Sequence, residues 1–224
     1  GTPGFQSGVA VTNPNYYLPT GWVAGTDVWG PNGNAAAGEY PGALKGARAT
    51  NAITATDLPA SMSPTGPYRI VMVCTGNICR SPMGDVILNQ AVAAAGLADS
   101  VTVDSCGTGG WHVGQGADRR ALTELAKAGY DGSAHRAAQF DDSHAAAADL
   151  IIAMDDRHVQ WLTTIGVEPE RIRLLRSFDP AAVAAGDLNV EDPYYGYASD
   201  FELARTQIEA AVPGILDWIR HTLE

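Results

Sequence analysis

The chain has 224 residues, 46% apolar and 17% charged, which suits one generous domain, or a domain with an appendage, and supplies a sizeable core. A formal charge of −11 argues against sequence-independent binding to nucleic acid or an anionic membrane, since both rest on Lys and Arg neutralising phosphate. No apolar run approaches the roughly 20 residues that cross a bilayer, so no transmembrane segment is expected.

Residues 1–66 are dense in Gly, Ala, Thr, Asn and Pro, with isolated aromatics at Tyr16, Tyr17, Trp22, Trp29 and Tyr40 and no sustained period. Little apolar periodicity is available there to offset ordering entropy. The segment is expected to be a passive, poorly structured extension rather than a docking arm or a cover for a cleft. It lacks the basic and continuous apolar regions of a signal peptide. A domain is expected over residues 67–224.

From Tyr68 onward, strand and helix patterns alternate. Residues 68–73 read as a buried strand, and residues 82–95 as a helix with Pro82 in its first turn and Gly96 as its stop. A second strand covers 101–104, and a helical pattern over 117–128 ends at Gly129. Residues 150–153 form a short apolar strand, residues 157–165 a helix closed by Gly166, and residues 172–175 a fourth strand. An amphipathic helix over 201–223 is expected to be disturbed at Pro213-Gly214. This alternation implies parallel pairing through right-handed crossovers: an α/β fold with an open, four-stranded, parallel twisted sheet and helices on both faces. Ligands bind such sheets at the carboxyl ends of the strands, where Cys74 falls.

Between the first strand and first helix lies Cys74-Thr75-Gly76-Asn77-Ile78-Cys79-Arg80-Ser81-Pro82. A Cys-x5-Arg loop can seat a nucleophilic sulfur beneath a ring of backbone N–H groups while a planar guanidinium grips the same phosphate. Backbone donors, a helix N-terminus and an arginine all favour the thiolate, the nucleophilic form of cysteine. Gly76 allows close backbone approach or a positive φ, Asn77 tolerates a left-handed conformation, and the Ser81 hydroxyl is available to the sulfur. Read blandly, Cys74 is a core cysteine and Arg80 a surface charge, but the strand-loop-helix context with Gly, Asn and Ser-Pro argues against that. Zinc binding by Cys74 and Cys79 fails for want of a second Cys or His pair, so no metal is expected. The three cysteines form no disulfide framework and point to a reducing, cytoplasmic compartment.

On these motifs, residues 68–224 resemble the low-molecular-weight protein tyrosine phosphatases, in particular the actinobacterial members. The resemblance implies hydrolysis of aryl phosphate monoesters through a cysteinyl-phosphate intermediate, without metal or cofactor. It implies Cys74 as nucleophile and Arg80 as phosphate-binding arginine. Amides of Thr75, Gly76, Asn77, Ile78, Cys79 and Arg80 would face the phosphate, and Asn77 and Ser81 would stabilise loop and thiolate. A leaving phenoxide needs a proton that a thiolate cannot supply. The late turn Glu191-Asp192-Pro193-Tyr194-Tyr195-Gly196 carries the family's Asp-Pro, which implies Asp192 as general acid and then base. By itself Asp-Pro is a turn initiator, and Glu191 is the rival carboxylate.

The resemblance also implies that Trp111, Tyr194 and Tyr195 wall the cleft as an aromatic slot suited to phosphotyrosine, with His112 either a rim contact or a solvated loop residue. Asp104, Ser105 and His135 match positions that bond Asn77 and Ser81. Cys79 reads either as a residue that fills space in the loop or, as the resemblance implies, as a thiol that captures an oxidised Cys74, while Cys106 reads as a small buried hydrophobe. Gly84-Asp85 departs from the family's Ala-Glu and is expected to leave the chemistry untouched. Partners implied are phosphotyrosine-containing proteins and phosphate or another oxyanion; export without a signal, known among bacterial relatives, stays open. The rivals are a phosphoarginine phosphatase, disfavoured by Ile78 where that branch has threonine, and a phosphate-binding module without turnover. Arsenate reduction on this fold needs redox cysteines downstream of Cys106, and there are none.

Overall fold

The computed structural model describes residues 66–224; the N-terminal extension and its aromatics lie outside them. In chain order come β1 (Tyr68–Cys74), α1 (Arg80–Ala94), β2 (Val101–Gly107), α2 (Arg119–Lys127), α3 (Asp142–Ala147), β3 (Leu150–Ala153), α4 (Asp156–Thr164), β4 (Ile172–Leu174), α5 (Pro180–Ala185) and α6 (Ala198–Leu223). Single 3-10 turns lie at Pro169–Arg171, Leu175–Phe178 and Pro193–Tyr195.

The four strands pair in the order β2-β1-β3-β4, all parallel. β1 is buried on both faces because its period-2 pattern is apolar on both. Ile70, Met72 and Cys74 enter a core built with Met83, Ile87 and Leu88 of α1 and Phe201, Ile208 and Ile215 of α6. Val71 and Val73 enter a second core with Ile151, Ala153 and the α4 residues Val159 and Leu162. The chain leaves β1 for β2 on one side and later returns to β3 on the other. The crevice beyond their carboxyl ends is therefore the switch point of the sheet, and Cys74 sits at its mouth.

Four differences from the expected elements matter. β2 runs on to Gly107 and α1 begins at Arg80, so both elements reach into the nucleophile loop. The short helices α3 and α5 were not expected; each spans six residues, too few to impose a period on the sequence. Finally, α6 passes through Pro213 without interruption. Pro213 faces solvent, while a Cβ on Gly214 would lie 2.1 Å from the carbonyl oxygen of Phe178. The Pro-Gly pair thus marks close backbone contact, not a helix end.

Candidate active site

β1 delivers Cys74 to the mouth of the crevice, and the next five residues wrap over it before α1 starts. Cys79, the residue before α1, provides no side-chain cap, so the first N–H groups of the helix are left to the loop and its ligand. The Ser81 hydroxyl is 2.9 Å from the Cys74 sulfur.

Asn77 organises the turn. With φ of 54° it is the only non-glycine residue described with a positive φ, and it is fully buried. Its Oδ1 accepts from the Ala138 N–H (2.8 Å), so Nδ2 faces the serines and donates to Ser81 Oγ (2.8 Å) and Ser105 Oγ (3.0 Å). His135 Nε2 bonds the Asn77 carbonyl at 2.7 Å. Since Ser105 accepts from Asn77, its own proton goes to Asp85 Oδ2, 2.9 Å away. Hydrogen bonds thus link the Asp85 carboxylate through Ser105, Asn77 and Ser81 to Cys74, with Asn77 donating to both serines and the Ser81 hydroxyl within reach of the Cys74 sulfur (2.9 Å) and the Cys106 carbonyl (3.3 Å). Burial pushes the Asp85 carboxyl up to about 6 against the pull of the Ser105 and Asn89 hydrogen bonds.

Gly76 has no positive φ; a Cβ there would meet the His112 ring at 3.1 Å, so close approach is what it supplies. Gly107 sits under the loop, where a Cβ would lie 2.8 Å from the Thr75 carbonyl oxygen and 3.1 Å from the Asn77 nitrogen.

Arg80 is 1% exposed. Its Nη1 is anchored by Asp155 Oδ2 (2.7 Å) and the Val190 carbonyl (2.9 Å), and its Nη2 pairs with Asp192 Oδ2 (2.9 Å). The buried Nε–H has no hydrogen-bond partner among the described residues. One edge of the guanidinium is thus fixed, and the Nε edge keeps a donor to spare in a group that lines the cleft. Asp155 also caps α4, accepting from the N–H groups of Arg157 and His158. His158 is buried, with burial lowering it to about 4, and its Nε2 lies 2.9 Å from Thr75 Oγ1.

A cleft of about 370 Å³ opens above Cys74 and Arg80, lined by Thr75, Gly76, Ile78 and Cys79 from the loop, Trp111 and His112 after β2, and Asp192, Tyr194 and Tyr195 from the late turn. Asp192 begins that turn, accepting from the Tyr194 N–H at 3.2 Å. Glu191 is exposed and outside the lining. The aromatics form an open rim rather than a deep slot: Trp111 is 74% and Tyr195 94% exposed, and the two tyrosine rings meet edge to face at 4.9 Å.

Two expectations need correction. Asp104 does not reach Asn77 or Ser81; alternation along β2 turns it away from Ser105, and it pairs with Arg69 at 2.8 Å. Asp85, expected to be neutral to the site, is the carboxylate in the loop's network. Asp155 and His158 went unnoticed in the sequence, although two aspartates at the carboxyl end of a strand and the start of a helix carry both an N-cap signal and the crevice position.

A thiol beneath uncapped helix N–H groups, beside an anchored arginine and an opposed carboxylate, defines a cysteine-based site for phosphate esters. Residues 69–224 match the family model described as low molecular weight phosphotyrosine protein phosphatase. The chain is 50% identical over 157 residues to low molecular weight protein-tyrosine phosphatase A of Mycobacterium tuberculosis, covering 70% of this chain and 94% of that one. It is 47% identical over 160 residues to the low molecular weight protein-tyrosine-phosphatase of Streptomyces coelicolor, covering 70% and 96%. Among solved structures, a protein tyrosine phosphatase from Entamoeba histolytica with Hepes in its active site is similar, with a TM-score of 0.65, 26% identity, and 70% and 99% coverage. The chain belongs to the low molecular weight phosphotyrosine protein phosphatase family.

Proposed function

We propose that the protein hydrolyses phosphotyrosine in protein substrates, with Cys74 as nucleophile, Arg80 as phosphate clamp and Asp192 as general acid and base. The observation that carries this reading is the Arg80 guanidinium, held through Nη1 by Asp155 and Val190 and paired through Nη2 with Asp192, in the cleft that it lines together with Cys74.

A phosphate dianion entering the cleft competes with Asp192 for the Arg80 Nη2 donor. Two anions then stand side by side, a pair relieved by one proton. That proton is the one the leaving phenoxide needs. The Cys74 thiolate attacks phosphorus, the S–P bond forms as the P–O bond breaks, and Asp192 protonates the departing oxygen. The Asp192 carboxylate then takes a proton from a water whose oxygen attacks phosphorus, forming an O–P bond as the S–P bond breaks, restoring the thiolate and releasing phosphate. The loop N–H groups and Arg80 supply the positive charge that this transfer requires, so the chemistry runs without a metal.

Ile78 and the open aromatic rim support an aryl ester as substrate. The free, buried cysteines support action in a reducing, cytoplasmic compartment. Cys79 is proposed to condense with a Cys74 sulfenic acid, releasing water and forming a reducible disulfide; its thiol is pushed up by burial and feels the charges of Cys74 and Asp192. Replacing Cys79 by Ser should make peroxide inactivation irreversible by dithiol.

The decisive experiment compares phosphotyrosine and phosphoarginine peptides. Preference for the former is expected, and preference for the latter would overturn the assignment. Cys74→Ser should lose turnover by more than about 10⁴-fold while still binding vanadate; activity near the parent's would remove Cys74 from the role of nucleophile.

A further inference from the structure

Arg120 lies outside the cleft lining, yet it contacts the late turn and α6. Its guanidinium carbon is 4.6 Å from the centre of the Phe201 ring and 5.6 Å from that of Tyr194. Nε and Nη2 donate to the two carboxylate oxygens of Asp118, at 3.0 and 2.8 Å, a fork that fixes the plane of the group. Nη1 points to the Gly196 carbonyl at 3.5 Å. Asp118 in turn caps α2 by accepting from the Arg120 N–H, and its own N–H donates to the Ile78 carbonyl at 2.8 Å. One residue pair therefore holds the nucleophile loop through Ile78 and the late turn through Tyr194 and Gly196. The N–H of Tyr194 donates to Asp192, so whatever places Tyr194 also places the carboxylate.

We propose that Arg120, locked by Asp118, is a positioning residue that sets Asp192 for proton donation by packing its guanidinium over the rings of Tyr194 and Phe201. The proposal rests on the phosphatase reading and on Asp192 as the acid. Ordinary structural roles for Arg120, such as holding α2 against α6, would reduce stability without altering which leaving groups the enzyme tolerates. A misplaced acid has a distinct signature: esters of weakly acidic phenols suffer most, because their oxygen needs the proton, while p-nitrophenyl phosphate departs largely unaided.

The test measures kcat/KM for a series of substituted phenyl phosphates with the full chain and its Arg120→Met variant, which keeps the length of the stem. The expected result is a loss at least about tenfold greater for phenyl phosphate than for p-nitrophenyl phosphate, with inhibition by vanadate unchanged within about twofold. Arg120→Lys, which keeps a cation over both rings without the fork to Asp118, should shift the same way by less and substitutes for the methionine variant if that one does not fold. An equal loss across the series, weakened vanadate inhibition in parallel, or unchanged kinetics would each overturn the proposal. Absence of activity in the parent would instead overturn the phosphatase reading.

Discussion

Asn77 occupies the left-handed region at a cost of order 1 kcal/mol that asparagine tolerates better than most residues, and its side chain and carbonyl make four hydrogen bonds in return. Replacing it by Ala removes three of these and the orientation of Ser81, so activity on p-nitrophenyl phosphate should fall by about 10²-fold; less than a twofold change would show that the loop holds itself. Cys74, Arg80, Asn77 and Ser81 were legible in the sequence because their spacing within one short run is local, whereas Asp192 was singled out only through the family resemblance, since Asp-Pro alone is a turn signal. The partners of Arg80 were not legible. Asp155 and Val190 lie 75 and 110 residues away along the chain, and only the sheet order brings them to one guanidinium. Asp104 was misread for a related reason: its place in the run was right, but strand alternation decides which of two adjacent residues faces the loop.

At the scale of elements, glycines at contacts carry more than glycines at helix ends. Gly96, Gly129 and Gly166 stop their helices with positive φ, and stop signals of that kind are visible in sequence. Gly107 and Gly214 are constrained instead by what crosses them. Gly214→Ala would drive a methyl into the Phe178 backbone where α6 meets the turn at Leu175–Phe178, and should destabilise the fold by about 1–3 kcal/mol, readable as a lower urea midpoint. A variant as stable as the parent would mean that α6 can slide. Gly107→Ala presses on Thr75 and Asn77 and should impair turnover more than stability. The short α3 and α5 escaped sequence reading because six residues give less than two helical turns of pattern.

Across the whole molecule, two buried titrations oppose each other. The Asp85 carboxyl, raised from 3.8 to about 6 chiefly by burial, contributes stability that is fully present below pH 3.8 and lost as pH rises through about 6. His158, lowered from 6.5 to about 4 chiefly by burial, contributes stability that is present above 6.5 and lost as pH falls through about 4. Between pH 4 and 7, Asp85→Asn should therefore gain on the parent as pH rises, and His158→Gln should gain as pH falls. Denaturant midpoints at several pH values would check both; parallel curves would mean that neither group is desolvated as its burial implies.

Composition, the order of the four strands and of the longer helices, the Cys-x5-Arg loop and the late Asp-Pro turn were legible in the sequence alone, because period, turn chemistry and short spacing are local properties. Tertiary structure decided which strands are neighbours, that Asp155 and Val190 hold Arg80, that Asp85 rather than Asp104 supports the loop, and that Arg120 joins the two halves of the site. Each of those depends on contacts between residues far apart in the chain, and no local pattern encodes the distance at which they meet.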